Sequence, residues 1–206
     1  MNKVFDQDNP FFKCMGTIFN LIILNLCTIV TCIPIFTIGA SLSAMHKVLT
    51  SMVRGEETYI MKQYFEAFRK NWKQATILWC ICLCVFILLG VEFMVVRALP
   101  QSTRWMGLAS VLLLLIATIS WSQYLFIIQS RYIHSVKEYL RLAALYAVAF
   151  LPRTLCILFV LGVFLVLSIR YFIYGFPLIL LFGISLPQYC CAWVYDSIFR
   201  KLEQQK

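Results

Sequence analysis

The sequence predicts an all-α membrane protein, with about five transmembrane helices and amphipathic cytoplasmic helices between spans 1 and 2 and between spans 3 and 4. Three observations carry that prediction. Only 13% of the residues are charged and 62% are hydrophobic, where a soluble domain carries about 25% charged residues. Five apolar runs cover roughly 16–38, 74–97, 105–128, 153–170 and 172–195, each close to the ~20 residues a helix needs to cross the hydrocarbon core. The basic residues between those runs are unequally shared. Lys47, Arg54, Lys62, Arg69, Lys70, Lys73, Arg131, Lys137, Arg141, Arg153, Arg200, Lys201 and Lys206 fall in alternate connections, against Lys3, Lys13, Arg97, Arg104 and Arg170 in the others. Basic segments stay in the cytoplasm, so the N-terminus is expected outside and the C-terminus inside. The whole chain, 1–206, reads as one integral membrane domain.

The segment before span 1 is not read as a signal peptide. Asp6 and Asp8 offset Lys3 and Lys13, and the apolar run from Met15 is longer than an h-region, although "ASLSA" resembles a cleavage site. At 100° per residue, Thr17, Asn20, Thr28 and Thr31 of span 1 share one narrow sector, with Asn25 at its edge. Such a stripe is expected to face other helices or a cavity rather than lipid.

Span 1 ends in "IPIFTIGASLSAMHKV". Pro34 removes a backbone donor and should kink the helix. Gly39, Ala40, Ser43 and Ala44 recur at a spacing that lets two helices approach closely. This segment is therefore expected to bend and to be packed against, either within the chain or by a helix of a partner permease. Pro187 is expected to interrupt span 5, near Gly183 and Gln188, and Gln123 lies in span 3. Pro34, Thr37, Gly39, Ser43, Gln123, Pro187 and Gln188 together form a candidate region for helix kinking and packing, or for a gate.

The connection before span 2 contains "TYIMKQYFEAFRKNWK", in which Met61, Phe65, Phe68 and Trp72 recur at steps of four, three and four, with lysines and arginines opposite. That is the pattern of a basic helix lying in the membrane interface over about 57–73, and it also suits a helix docked in a partner's groove. Phe65, Phe68, Arg69, Lys70 and Trp72 are the candidate interfacial or partner surface. "KEYL" at Lys137 faintly repeats "KQYF" at Lys62, and His46 and His134 each follow an inward span. The chain thus reads as two units of span, cytoplasmic helix and span, plus a fifth helix. Both histidines are expected at the interface rather than on a metal, since no further ligands sit at useful spacing. Spans 4 and 5 are separated by "RYFIYGFP", with Pro177 expected in the first turn of span 5.

Eight of the nine cysteines lie inside apolar runs and read as small hydrophobes. In "CICLC", neighbouring cysteines are two residues apart, and i and i+2 point to different faces of a helix. Glu92 stands alone near the outer end of span 2. No nucleophile–base pair, phosphate loop or metal-ligand spacing appears, so an enzyme, a cofactor and a bound metal are not expected. The net charge of +9 is dispersed between the spans, which points to lipid headgroups rather than nucleic acid.

"IPIFTIGASLSAMHKV" followed by "YFEAFRKNWKQATILW", and the later "PRTL", resemble the YesL family of small bacterial membrane proteins. The resemblance covers nearly the whole chain and is strongest over Phe19 to Trp79. It implies a five-span protein of a bacterial plasma membrane, linked to carbohydrate utilisation and to permease subunits of ABC-type sugar import. It supplies no catalytic or binding residues, and the dense cysteines depart from it. Three functions follow: an accessory or permease-like subunit of such an importer, a self-contained small transporter or channel, and a membrane sensor or assembly factor.

Overall fold

The structure, a computed structural model, describes residues 10–56 and 59–203. Every regular element among them is helical: α1 (Pro10–Cys32), a single 3-10 turn (Ile35–Thr37), α2 (Ile38–Arg54), α3 (Ile60–Ala98), α4 (Gln101–Arg131), α5 (Val136–Ala149), α6 (Leu151–Arg170), α7 (Phe172–Phe182) and α8 (Ser185–Glu203). Four helices, α1, α3, α4 and α6, are long and apolar enough to cross a membrane, and α7 with α8 makes a fifth candidate bent by 45° at a short break.

Several boundaries follow from local chemistry. After Pro34 the chain makes its 3-10 turn, and the Thr37 hydroxyl lies 2.6 Å from both the Thr31 and Pro34 carbonyls. Helix ends leave such carbonyls without helical partners. α2 stops where Gly55 takes a left-handed φ of 71°. There the Gly55 N–H donates to Met52 O and the Glu56 N–H to Ser51 O, a Schellman ending that needs a residue without Cβ. α5 starts on a capping box: Ser135 Oγ accepts from the Glu138 N–H, and the Glu138 carboxylate accepts from the Ser135 N–H.

The first difference from the sequence prediction concerns the connection between spans 1 and 2. Residues 57 and 58 of the expected interfacial helix lie outside the described residues. From Ile60 onward that helix is not a separate element but the first part of the 39-residue α3. At 1.5 Å per residue α3 is about 58 Å long, nearly twice the hydrocarbon thickness of ~30 Å. The physical reason is the absence of any breaker between Lys73 and Ala75, with Ile60, Tyr64, Ala75, Leu78 and Cys82 making one buried stripe along both parts. The short helix of the first unit is α2 instead, so the order span, short helix, span appears as α1–α2–α3 and as α4–α5–α6. Pro177 also differs: it lies inside α7, because that helix begins five residues earlier, at Phe172.

α2 packs against α1, α3, α4 and α8. One cluster of buried side chains joins Leu21 and Leu24 of α1 to Met45, Val48 and Leu49 of α2, Tyr64 of α3 and Ala192 of α8. A second joins Leu78 and Cys82 of α3 to Tyr124–Ile128 of α4, Tyr139 of α5, Ile157 of α6, and Cys191, Tyr195 and Phe199 of α8. Away from these clusters the spans present large apolar side chains outward, among them Ile87, Leu88, Val91, Leu113, Phe159 and Val166. Water would penalise that surface and lipid does not.

Candidate functional site

The residues singled out at the two proline breaks fall into two groups in space. Around the first break, the carbonyl of Ile35 accepts from Trp79 Nε1 of α3 at 2.8 Å. Thr31 and Tyr64 pair their hydroxyls at 2.5 Å, and Ser41 Oγ donates to Thr31 Oγ1 at 2.9 Å. Gly39 shows why small residues follow the turn. A Cβ there would come within 2.7 Å of Ala75 O and of Trp79 Cβ, closer than atoms pack. Gly39 and Ser43 are buried inside the chain, so the expected docking of a partner permease helix on this segment is corrected: α3 of the same chain occupies the place. Pro34 itself is exposed.

Around the second break the organising residue is Asn25 of α1, fully buried. Its Oδ1 accepts from the N–H groups of Ile184 and Ser185 at 3.0 and 2.9 Å, and its Nδ2 donates to Leu180 O at 2.7 Å. One side chain thereby serves a carbonyl in the last turn of α7, an N–H of the break and the first N–H of α8. Pro187 does not interrupt a helix; it follows the break, in the first turn of α8, where its missing N–H has no acceptor to lose. Gln188 Nε2 donates to Gln123 Oε1 at 3.2 Å, so those two predicted residues are brought together across α8 and α4. They are not joined to the Pro34–Ser43 group by any hydrogen bond. The polar stripe of α1 acts as interhelical glue at Asn25 and Thr31, while Thr28 turns its hydroxyl back to Leu24 O.

The candidate surface on α3 divides. Tyr64 is buried and Phe68 half-buried, whereas Phe65, Trp72, Arg69 and Lys70 are exposed. The stripe that packs inside the bundle is shifted towards Tyr64, and Met61, Phe65 and Trp72 are left pointing outward at one side.

At the end of the bundle where α2 finishes and α3 begins is a charged centre that sequence reasoning missed. Asp196 of α8, 3% exposed, accepts from Arg54 Nε of α2 at 2.9 Å and from Arg131 Nη2 of α4 at 3.3 Å. Arg131 also donates to Thr50 Oγ1 at 3.3 Å and lies 4.3 Å over the Phe199 ring. The signal available was a lone carboxylate in "WVYDSIF", flanked by apolar residues, since such a group is buried only with a partner. Glu92, which did draw attention, accepts from Ser110 Oγ at 3.4 Å near the other end. His46 corrects another expectation. It is not interfacial but buried, edge-on to Tyr195 at 6.2 Å, and burial, with Arg131 nearby, pushes its pKa down to about 4. His134 is partly exposed and lies 3.6 Å from Glu138. The hydrogen bonds from Ser135 hold the Glu138 carboxyl below its usual range.

All nine cysteines are free thiols, with Cys82 buried between exposed Cys80 and Cys84. Among the described residues no group of three or more His, Cys, Asp or Glu side chains converges. Neither a curated protein nor a solved structure matches the chain. Residues 19–93, from within α1 through α2 and most of α3, match the family described as "Protein of unknown function, DUF624", which contains YesL-like membrane proteins, so this stretch of the chain is similar to that family.

Proposed function

We propose that the chain is a non-enzymatic, multi-pass protein of a bacterial plasma membrane that works as an accessory or permease-like subunit of ABC-type carbohydrate import. The proposed orientation has the N-terminus outside and the charged end of the bundle in the cytoplasm. The observation that carries the choice of a subunit over a conduit is Asn25. This buried side chain of α1 spends its donor and its acceptor on the α7–α8 break, and Gln188 donates its amide to Gln123. Two of the cavities beside the spans support the same reading, while a third, of about 590 Å³, also carries Thr118, Ser120 and Thr154 in its lining. One of about 520 Å³ is lined by Phe86, Leu89, Phe93, Leu108, Val111 and their neighbours, and another of about 400 Å³ by Phe164, Leu167, Leu178, Ile179 and Phe182 among others. A hydrated sugar needs hydrogen-bonding groups along its path, whereas apolar clefts of this kind suit lipid or the helix of a neighbouring subunit. The outward aromatic and basic residues Phe65, Arg69, Lys70 and Trp72 add a surface beyond the spans, where soluble partner domains would be met.

The test is a pull-down of the tagged full chain in mild detergent with mass spectrometry, beside growth of a deletion strain on a panel of sugars. Permease subunits should co-purify, growth should slow on an oligomeric or polymeric sugar but not on glucose, and the purified chain in liposomes should move no sugar by itself. Sugar flux through the chain alone would establish the transporter instead. Normal growth on every sugar together with a pull-down lacking permeases would overturn transport in favour of a sensor or assembly role.

A further inference from the structure

A cavity of about 270 Å³ opens between α2, α3 and α4 at the charged end of the bundle. Its lining brings together Lys47, Lys70 and Arg131 with a single carboxylate, Glu66. Among the described residues neither lysine has an ion-pair partner, while Arg131 is held against Asp196. At the cavity wall Gln129 is 2% exposed, and both its amide nitrogen and its amide oxygen are buried without a hydrogen-bond partner. Buried amide atoms are seldom left unserved, since each costs the desolvation of a polar group. A water molecule can serve the amide but carries no charge to match the two lysines that line the cavity.

We infer that this cavity binds a phosphate group, with Lys47 and Lys70 supplying the charge and the Gln129 amide a hydrogen bond from within. Lysine ammonium groups recognise phosphate as point charges, and the size suits an isolated phosphate or a headgroup rather than a large ligand. The phosphate can come from a soluble molecule or from an anionic lipid. The α3 part of the lining, Gln63 to Asn71, ends four residues before Ala75, where the apolar run of span 2 has begun. That is about 6 Å along the helix, which places the cavity at headgroup depth. Nothing in this inference requires a carbohydrate importer, so it stands or falls apart from the proposed function.

The experiment places the purified full chain in nanodiscs and follows thermal unfolding by tryptophan fluorescence. One arm uses phosphatidylcholine discs with sodium phosphate added at constant ionic strength against chloride. The other uses discs containing phosphatidylglycerol, without phosphate. A rise in melting temperature in the first arm identifies a soluble phosphate as sufficient, and a rise in the second alone identifies the lipid headgroup. The K47Q/K70Q variant should weaken the apparent affinity at least about tenfold, and Gln129→Met should weaken it without changing the net charge. The K62Q/K73Q variant, which removes the same charge from exposed positions on α3 outside the cavity lining, should keep the shift. No shift in either arm would overturn the inference, as would an equal loss in K62Q/K73Q and K47Q/K70Q. Should K47Q/K70Q fail to fold, native mass spectrometry of phosphatidylglycerol retained by the wild type and by Gln129→Met decides the same question: equal retention overturns the site.

Discussion

Replacing Asn25 by leucine would leave the N–H groups of Ile184 and Ser185 and the carbonyl of Leu180 without their present partners. Hydrogen bonds between membrane helices are worth roughly 0.6–2 kcal/mol each. With three such bonds the variant should therefore lose about 2–6 kcal/mol against unfolding in detergent, and an unchanged melting temperature would show that the break needs no clamp. Gly39 and Gly90 make a matched pair. A Cβ at Gly39 meets Ala75 O and Trp79 Cβ at 2.7 Å, while one at Gly90 meets nothing within 4 Å. Gly39→Ala should destabilise, and Gly90→Ala should be neutral or stabilising by up to ~1 kcal/mol through helix propensity; the two melting curves shifting alike would refute the close approach. His46 gives a pH signature. Its folded pKa lies below its unfolded value, so the unfolded chain binds the proton first. Stability should fall as the pH drops from about 6.5 towards about 4, with no contribution from this residue above that window. His46→Gln should flatten that part of the profile relative to the wild type, as measured by thermal unfolding across the range. Gly39 lies against Ala75 and Trp79 of α3, and Gln188 donates to Gln123. The partners were not legible, because Asn25 reaches across more than 150 positions of sequence and nothing local marks that distance.

At the scale of the helices, α3 tests whether the amphipathic segment and span 2 are one body. Amide hydrogen exchange should be uniformly slow from about residue 64 to residue 90, without a fast junction near residues 73–74. A break in protection at that junction would restore the separate interfacial helix. The four-three-four spacing of aromatics was correctly a helical signal, but periodicity says nothing about where a helix ends, and no glycine or proline lies between Ile60 and Gly90 to stop it. α2 was hidden for a different reason. It follows α1 after only the 3-10 turn at Ile35–Thr37, and most of its residues from Gly39 through Ser51 are buried. Its small and hydroxyl-bearing residues read instead as the tail of span 1. The α7–α8 break was approached through Pro187, yet the bend falls before it, at Gly183 and Ile184.

Across the whole molecule, Asp196 ties together three helices that come from distant parts of the chain: α2 through Arg54, α4 through Arg131, and its own α8. Removing one member of a buried ion pair costs about 3–5 kcal/mol, because charge is left buried without its counterpart. Asp196→Asn should therefore lower stability by about that amount, whereas Glu92→Gln, whose contact is a 3.4 Å hydrogen bond at an exposed site, should change it by less than ~1 kcal/mol. Equal effects would remove the charged centre from the account. The apolar runs made the helical membrane class legible from composition alone, since lipid imposes length and apolarity on each span. The arrangement of those helices was not legible, because it depends on polar contacts between segments far apart in sequence. The central proposal is that the chain crosses the membrane five times, with its basic end and the Arg54–Arg131–Asp196 centre in the cytoplasm. Labelling single cysteines on a cysteine-free background with a membrane-impermeant maleimide tests it most directly. Ser102→Cys, in the first turn of α4, should label on intact cells, and Glu56→Cys, after α2, should label only once the membrane is permeabilised. The reverse pattern, or labelling of both on intact cells, would contradict the account.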